Sequence, residues 1–283
     1  MKSTILLLIS AILLGSCSKS KTSEGPSDLT ASTTLNVSYG SFPSQVMDVY
    51  LPAGRTTSST KVLVLIHGGG WTSGDKNEFG TYIPSLQSRL PDYAIFNINY
   101  RLFNGSDNKF PIQENDVKQA IDFIISKSSE YKISDKFALL GASAGAHLAL
   151  LQAYKYNSPK VQAVVSFFGP TDLVEFYNNP PSPNLQPAMQ ALLGTSPSQN
   201  ISVYQQSSPA FFVNTFSPPT LIMHGTNDQV VPLSQSILLK NKLDASGVKN
   251  EYVEYQGEGH GWIGIPLQDS FDRIIAFLAA NVK

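Results

Sequence analysis

The stretch that most constrains this chain is Leu139-Leu140-Gly141-Ala142-Ser143-Ala144-Gly145-Ala146-His147-Leu148. Residues 137–140 are apolar and read as a short buried strand, and residues 144–156 are helix-forming, with almost no loop between them. So abrupt a turn holds the corner residue, Ser143, in a strained backbone conformation. A side chain at 141 or 145 would strike neighbouring backbone, which is why both are glycine. The serine hydroxyl then stands clear of the sheet at a helix N-terminus, where N–H groups and the dipole favour developing negative charge. A serine with a glycine two residues away on each side, at a strand-to-helix corner, is the pattern of a nucleophile elbow.

The rest of the chain supplies the sheet such a corner needs. Residues 33–39 and 45–51 alternate and predict an entry hairpin. Residues 61–66 and 93–98 are apolar and β-branched or aromatic, as expected of strands buried on both faces. Residues 161–167, 220–223 and 251–255 predict three more strands. Helices are predicted at 79–90, where Pro84 marks the start or disturbs it, and at 112–128, 233–245 and 267–279. In the last of these Leu267, Phe271, Ile274, Ile275 and Leu278 share one face. Strands alternating with helices predict an α/β fold: a mostly parallel central sheet with helices on both faces. Residues 169–217 break that rhythm with Pro, Asn, Ser and Tyr, and have helical patches only at 185–193 and 201–206. This is expected to be a lid-like insertion or pocket wall.

A serine hydroxyl attacks only when a base removes its proton and a carboxylate orients that base. On such an elbow the partners follow in the order serine, acid, histidine. Of the four histidines, His67 precedes the serine, His147 lies one turn along the elbow helix as a buried structural residue, and His224 ends a strand and braces the loop beyond it. His260, in Gly257-Glu258-Gly259-His260-Gly261-Trp262, is left as the base. Asp228, just past the strand at 220–223, is the expected acid; Glu254 and Glu258 leave no loop between acid and base. His67-Gly68-Gly69-Gly70-Trp71 follows a predicted strand directly, and its backbone N–H groups suit an oxyanion hole formed by Gly69, Gly70 and Ala144.

With 20 Lys+Arg against 21 Asp+Glu, the 283-residue chain carries no electrostatic footprint for nucleic acid. Ligand-spaced His/Cys clusters are absent from the sequence, so no metal or cofactor is implied. Lys2, the apolar run 5–14 and Leu14-Gly15-Ser16-Cys17 resemble a bacterial lipoprotein signal: residues 1–16 are expected to be removed and Cys17 lipidated. Residues 17–34 then read as a flexible tether and residues 35–283 as the catalytic domain. By analogy with other lipoproteins, Ser18 directly after Cys17 favours the outer membrane.

In order along the chain, Asp48-Val49-Tyr50-Leu51-Pro52, His67-Gly68-Gly69-Gly70-Trp71 with Gly74-Asp75-Lys76, Asn99-Tyr100-Arg101-Leu102, the Ser143 elbow, His224-Gly225-Thr226-Asn227-Asp228 with Val231-Pro232, and Gly259-His260-Gly261 resemble the α/β-hydrolase superfamily. Within it they are similar to esterases of the hormone-sensitive-lipase and Bacteroidetes feruloyl-esterase-like groups. Asn99 departs from that pattern, where Asp is commoner. The resemblance implies a serine hydrolase that cleaves carboxylic esters through an acyl-enzyme, with feruloyl or acetyl esters of plant polysaccharide as candidate substrates. An amidase or peptidase of the same fold, or a non-catalytic ligand-binding lipoprotein, are the alternatives. Phe168, Phe176, Tyr177, Tyr204, Phe211 and Phe212, in and beside the insertion, are candidates to stack on an aromatic acyl group or to pack the insertion itself.

Overall fold

A computed structural model describes residues 29–156 and 161–283. Among the described residues, eight strands form one sheet: β1 (Ser32–Ser38), β2 (Val46–Leu51), β3 (Lys61–Ile66), β4 (Tyr93–Ile98), β5 (Phe137–Ala142), β6 (Val161–Phe167), β7 (Thr220–Gly225) and β8 (Asn250–Tyr255). Their spatial order is β1-β2-β4-β3-β5-β6-β7-β8. β1 and β2 form the expected antiparallel hairpin, β2 runs antiparallel to β4, and every pairing from β4 to β8 is parallel.

Side-chain alternation along the central strands explains the layering. Val62, Val64 and Ile66 of β3 enter one apolar core, while Leu63 and Leu65 enter the other. The first core is closed by α2 (Ile112–Ser126), through Val117, Ala120, Ile121 and Ile124, and by the elbow helix. The second is closed by α1 (Ile83–Arg89), through Leu86, and by the C-terminal helix, through Ile274, Phe277 and Leu278. The remaining helices are α3 (Ser128–Tyr131), the elbow helix α4 (Ala144–Lys155), α5 (Leu173–Asn178), α6 (Leu185–Leu193), α7 (Ile201–Gln206), α8 (Ser234–Ala245) and the C-terminal α9 (Ile265–Asn281).

Two expectations are corrected. The helix expected at 79–90 is two elements, a 3₁₀ helix (Lys76–Tyr82) and α1, because Pro84 suits the first turn of a new helix better than the interior of an old one. The tether expected at 17–34 ends early: Ser32, Thr33 and Thr34 pair with Leu51, Tyr50 and Val49, and Gly54 N–H donates to the Leu29 carbonyl at 2.8 Å. An edge strand needs only backbone pairing, so its Ser/Thr composition resembled that of a linker. The domain therefore reaches back to about residue 29 rather than 35. Residues 1–16 and Cys17 lie outside the described residues.

The insertion at 169–217 contains no strand, as expected, but has an additional helix in α5, which Asp172 caps by accepting from the Val174 and Glu175 N–H groups. Its Leu173, Phe176, Met189, Leu192 and Tyr204 join the first core, so it is anchored as a wall of the domain. Phe176 and Tyr204 are consumed by that packing, and Phe211 and Phe212 face the ammonium groups of Lys242 and Lys155.

Candidate active site

The elbow forms as the glycine spacing requires. β5 ends at Ala142, α4 begins at Ala144, and Ser143 between them has φ 54° and ψ −121°. A Cβ on Gly141 would lie 2.3 Å from the Gly145 carbonyl carbon, and one on Gly145 would lie 2.1 Å from the Ile66 carbonyl oxygen. The end of β3, the corner and the first turn of α4 are therefore in direct backbone contact. The strained serine is held by its neighbours on both sides.

Asp228 and His260 arrive on the loops after β7 and β8. His260 Nδ1 donates to Asp228 Oδ2 at 2.7 Å, and the Ser143 hydroxyl lies 2.9 Å from His260 Nε2, placed to donate to it. The three residues expected to form the site thus meet in one hydrogen-bonded chain. Asp228 Oδ1 accepts from the Val230 and Val231 N–H groups at 2.8 and 3.0 Å, and Oδ2 also lies 3.2 Å from His224 Nε2. Burial alone would raise the carboxyl's pKa, but hydrogen bonds from His224, His260 and the two backbone N–H groups hold it well below the usual carboxylate range. Asp228 is an anion whose every lone pair is directed.

The acid and base loops are stitched to each other. Asn227 N–H donates to the Glu258 carbonyl at 2.8 Å, and Gly257 N–H donates to Thr226 Oγ1 at 2.9 Å. A Cβ on Gly225 would stand 2.4 Å from the Glu258 and Gly259 carbonyl oxygens, so this close approach depends on glycine. The sequence signal for this glycine is its position at the end of β7, just ahead of the acid.

The glycine run lies against the elbow: a Cβ on Gly68 would be 3.4 Å from Ser143 Cβ and 3.1 Å from the Ala142 carbonyl oxygen. His67 stacks on Tyr100 with ring centroids 4.3 Å apart, and the Tyr100 hydroxyl lies 3.0 Å from the carbonyls of both His67 and Gly68. Tyr100 is thus the post that sets this loop's path. Downstream, Lys76 makes a buried ion pair with Asp48 at 2.9 Å. Asn99 accepts from Lys76 N–H through Oδ1 and donates to Asp75 Oδ2 through Nδ2, each at 2.6 Å. This explains the departure at 99: an aspartate would have no donor for the Asp75 carboxylate and would set two negative groups against each other.

His147 is fully buried beneath the elbow, as expected of a structural residue. Trp71 Nε1–H donates to its Nδ1 at 3.2 Å, so Nε2 carries the proton and donates to the Ser207 carbonyl at 2.7 Å. It ties together the residue after the glycine run, α4 and the insertion. Burial pushes its pKa down to about 4, with the Ser207 hydrogen bond opposing only in part. Since the unfolded chain binds this proton near pH 6.5 and the folded one only near 4, folding stability rises with pH across that window. The contribution is complete above pH 6.5 and lost as pH falls to 4, about 3 kcal/mol in all. Urea unfolding of wild type at pH 7 and at pH 4.5 should show this loss, and His147→Gln should flatten it.

Beside the triad lies a cleft of about 170 Å³. Ala142 and Gly261, neighbours of Ser143 and His260, line it, with Phe79, Tyr82, Phe168, Trp262, Leu267 and Phe271. Phe168 packs on the His260 ring at 4.5 Å, and Trp262 Nε1–H is taken up by Ser270 Oγ at 2.8 Å. Of the six aromatic candidates, only Phe168 reaches this cleft; the others line none of it. The rest of the aromatic wall comes from Trp262 of the histidine loop, the 3₁₀ helix and α9, whose Leu267 and Phe271 read in sequence as ordinary core-facing residues.

The chain spans about half to three fifths of the length of two curated relatives from Mycobacterium tuberculosis. One is a "Probable carboxylic ester hydrolase LipM", 31% identical over 71% of this chain and 49% of that protein. The other is an "Esterase LipC", 27% identical over 80% and 59%. A solved structure titled "Truncated form of carbohydrate esterase from gut microbiota" superposes with a TM-score of 0.74 at 26% identity, covering 90% of this chain and 99% of that one. The BD-FAE family profile matches residues 47–243, from within β2 into α8 and across both the glycine run and the elbow; this chain is an α/β-hydrolase that belongs to the BD-FAE family.

Proposed function

We propose that this protein hydrolyses carboxylic esters through an acyl-enzyme on Ser143. The observation that carries this reading is the chain Ser143–His260–Asp228 beside a glycine loop. His260 takes the Ser143 proton through Nε2 as Oγ attacks the ester carbonyl. Asp228 holds Nδ1–H in place and stabilises the imidazolium. The N–H groups of Gly69, Gly70 and Ala144 receive the oxyanion, each such donor being worth about a hundred- to a thousandfold in rate. His260 then passes its proton to the leaving alcohol, and a water repeats the cycle on the acyl-enzyme.

The cleft offers aromatic faces and, with the Trp262 N–H already engaged, little hydrogen bonding from its side chains. It suits the acyl group, with the alcohol directed outward. Kinship with a carbohydrate esterase and membership of the BD-FAE family support feruloyl or acetyl esters of plant polysaccharide as substrates. The test is a panel of p-nitrophenyl butyrate, feruloylated oligosaccharide, acetylated xylan, an arylformamide and a dipeptide amide. Turnover of the esters with none of the amides is expected; hydrolysis of the amides alone would overturn the assignment.

The Leu14-Gly15-Ser16-Cys17 run supports export and lipid anchoring at Cys17, with the domain held at the outer membrane. Cys17→Ala should move the expressed protein from the membrane to the soluble fraction and abolish incorporation of radiolabelled palmitate. Unchanged fractionation and labelling would reject the anchor.

A further inference from the structure

Asp228 Oδ2 is approached from two sides, by His260 Nδ1 at 2.7 Å and by His224 Nε2 at 3.2 Å. His224 Nε2 also lies 2.9 Å from the Val231 carbonyl. Both of its partners are acceptors, so Nε2 carries the hydrogen, and His224 Nδ1 accepts from Ser236 Oγ–H at 2.7 Å. The result is one chain with two mirrored arms, Ser143–His260–Asp228–His224–Ser236. In each arm a hydroxyl donates to an imidazole; the His260 Nδ1–H is hydrogen-bonded to Oδ2 at 2.7 Å, whereas the His224 Nε2–H is hydrogen-bonded to the Val231 carbonyl at 2.9 Å and lies 3.2 Å from Oδ2. One arm opens onto the cleft; the other is sealed, with His224 wholly inaccessible.

We propose that His224 is a positioning residue for the reaction, acting through Asp228 to fix the carboxylate and to limit how tightly His260 holds a proton. This rests on the serine-hydrolase reading above. Bracing the loop after β7 would need only the bond to Val231; the contact with Oδ2 does two further things. With Oδ1 held by the Val230 and Val231 N–H groups and Oδ2 by His224, the carboxylate cannot swing when His260 charges. A second N–H on Oδ2 also draws off negative charge, so the His260 imidazolium is stabilised less than by a carboxylate serving His260 alone. His260 therefore returns its proton to the leaving alcohol more readily. Among the described residues Asp228 is the one charged group hydrogen-bonded to either imidazole; the other faces meet Ser236, Val231, Ser143 and the Phe168 ring. Ser236, on the first turn of α8, makes the His224 N–H a stronger donor by pairing with the opposite nitrogen.

The test is the pH dependence of kcat and KM for p-nitrophenyl butyrate in His224→Met, which removes the N–H, and in His224→Gln, whose side-chain amide can supply one. In His224→Met, kcat should fall roughly tenfold to a hundredfold with KM within about twofold, and the acid limb of kcat/KM should move up by about one pH unit. His224→Gln should recover most of both. A folded His224→Met with wild-type kcat and acid limb would reduce His224 to a loop brace and overturn the proposal. If His224→Met does not fold, Ser236→Ala decides, since it leaves His224 on Asp228 but removes the donor to Nδ1. A drop of about threefold in kcat with the limb moving the same way supports the proposal, and no change in either overturns it. A wild-type protein inert to every ester would sink the hydrolase reading itself, whereas an active wild type with indifferent variants would sink only the role of His224.

Discussion

Ser143→Ala should lower kcat for p-nitrophenyl butyrate by about a millionfold and abolish labelling by a fluorophosphonate probe, while leaving the fold intact. The reason lies in the division of labour at the corner. Ser143 adopts φ 54° because β5 must become α4 within one residue, and the glycine contacts at 141 and 145 enforce that path whatever side chain occupies position 143. Removing Oγ therefore deletes the attacking atom without relaxing the elbow. His260 loses its proton donor but keeps Asp228 at 2.7 Å, so the loops should remain docked. Thermal unfolding within a few degrees of wild type, with rate and label both gone, is the expected pattern. Substantial turnover in this variant would mean that water or another group attacks, and the acyl-enzyme mechanism would be wrong.

Asp228→Asn should cost about ten thousandfold in kcat, through the wrong tautomer rather than lost packing. The Val230 and Val231 N–H groups claim one oxygen of residue 228. An asparagine must present its carbonyl oxygen to them, which turns its NH₂ toward His260 and His224. His260 Nδ1 then becomes an acceptor, its proton moves to Nε2, and Nε2 faces the Ser143 hydroxyl as a donor instead of a base. The new NH₂ also opposes the His224 Nε2–H, which has lost its acceptor at 3.2 Å. Steady-state rates across the alkaline range are the check, because no pH near neutrality restores the correct tautomer. A loss of less than about tenfold would show that Asp228 is not the residue orienting His260.

The elements legible in sequence were those in which local chemistry has one solution. Strands β3 and β4 were readable because residues buried on both faces of a parallel sheet are continuously apolar. The elbow was readable because only Gly-x-Ser-x-Gly survives that corner. Asp228 and His260 could be chosen by chain order and loop position once the corner was recognised. Where several conformations satisfy the same composition, the sequence leaves the boundary open. Residues 33–34 fit both the first strand and the end of a tether, and β2, which offers its backbone alongside, decides for the strand. Insertion aromatics can stack on a substrate or enter the core, and Phe176 and Tyr204 entered the core alongside Leu173, Met189, Leu192 and Leu193, which together anchor α5 to α7.

The amino-acid order by itself therefore determined the α/β layering and the identities of the serine, acid and histidine, since each depends on residues close in the chain or on a strict order along it. Tertiary structure alone decided the aromatic cleft, the fit of Gly225 against the histidine loop and the second imidazole on Asp228. Each of these joins surfaces from elements many residues apart, and a side chain's neighbours across such a gap are set by how helices and loops dock on the sheet, which no local pattern encodes.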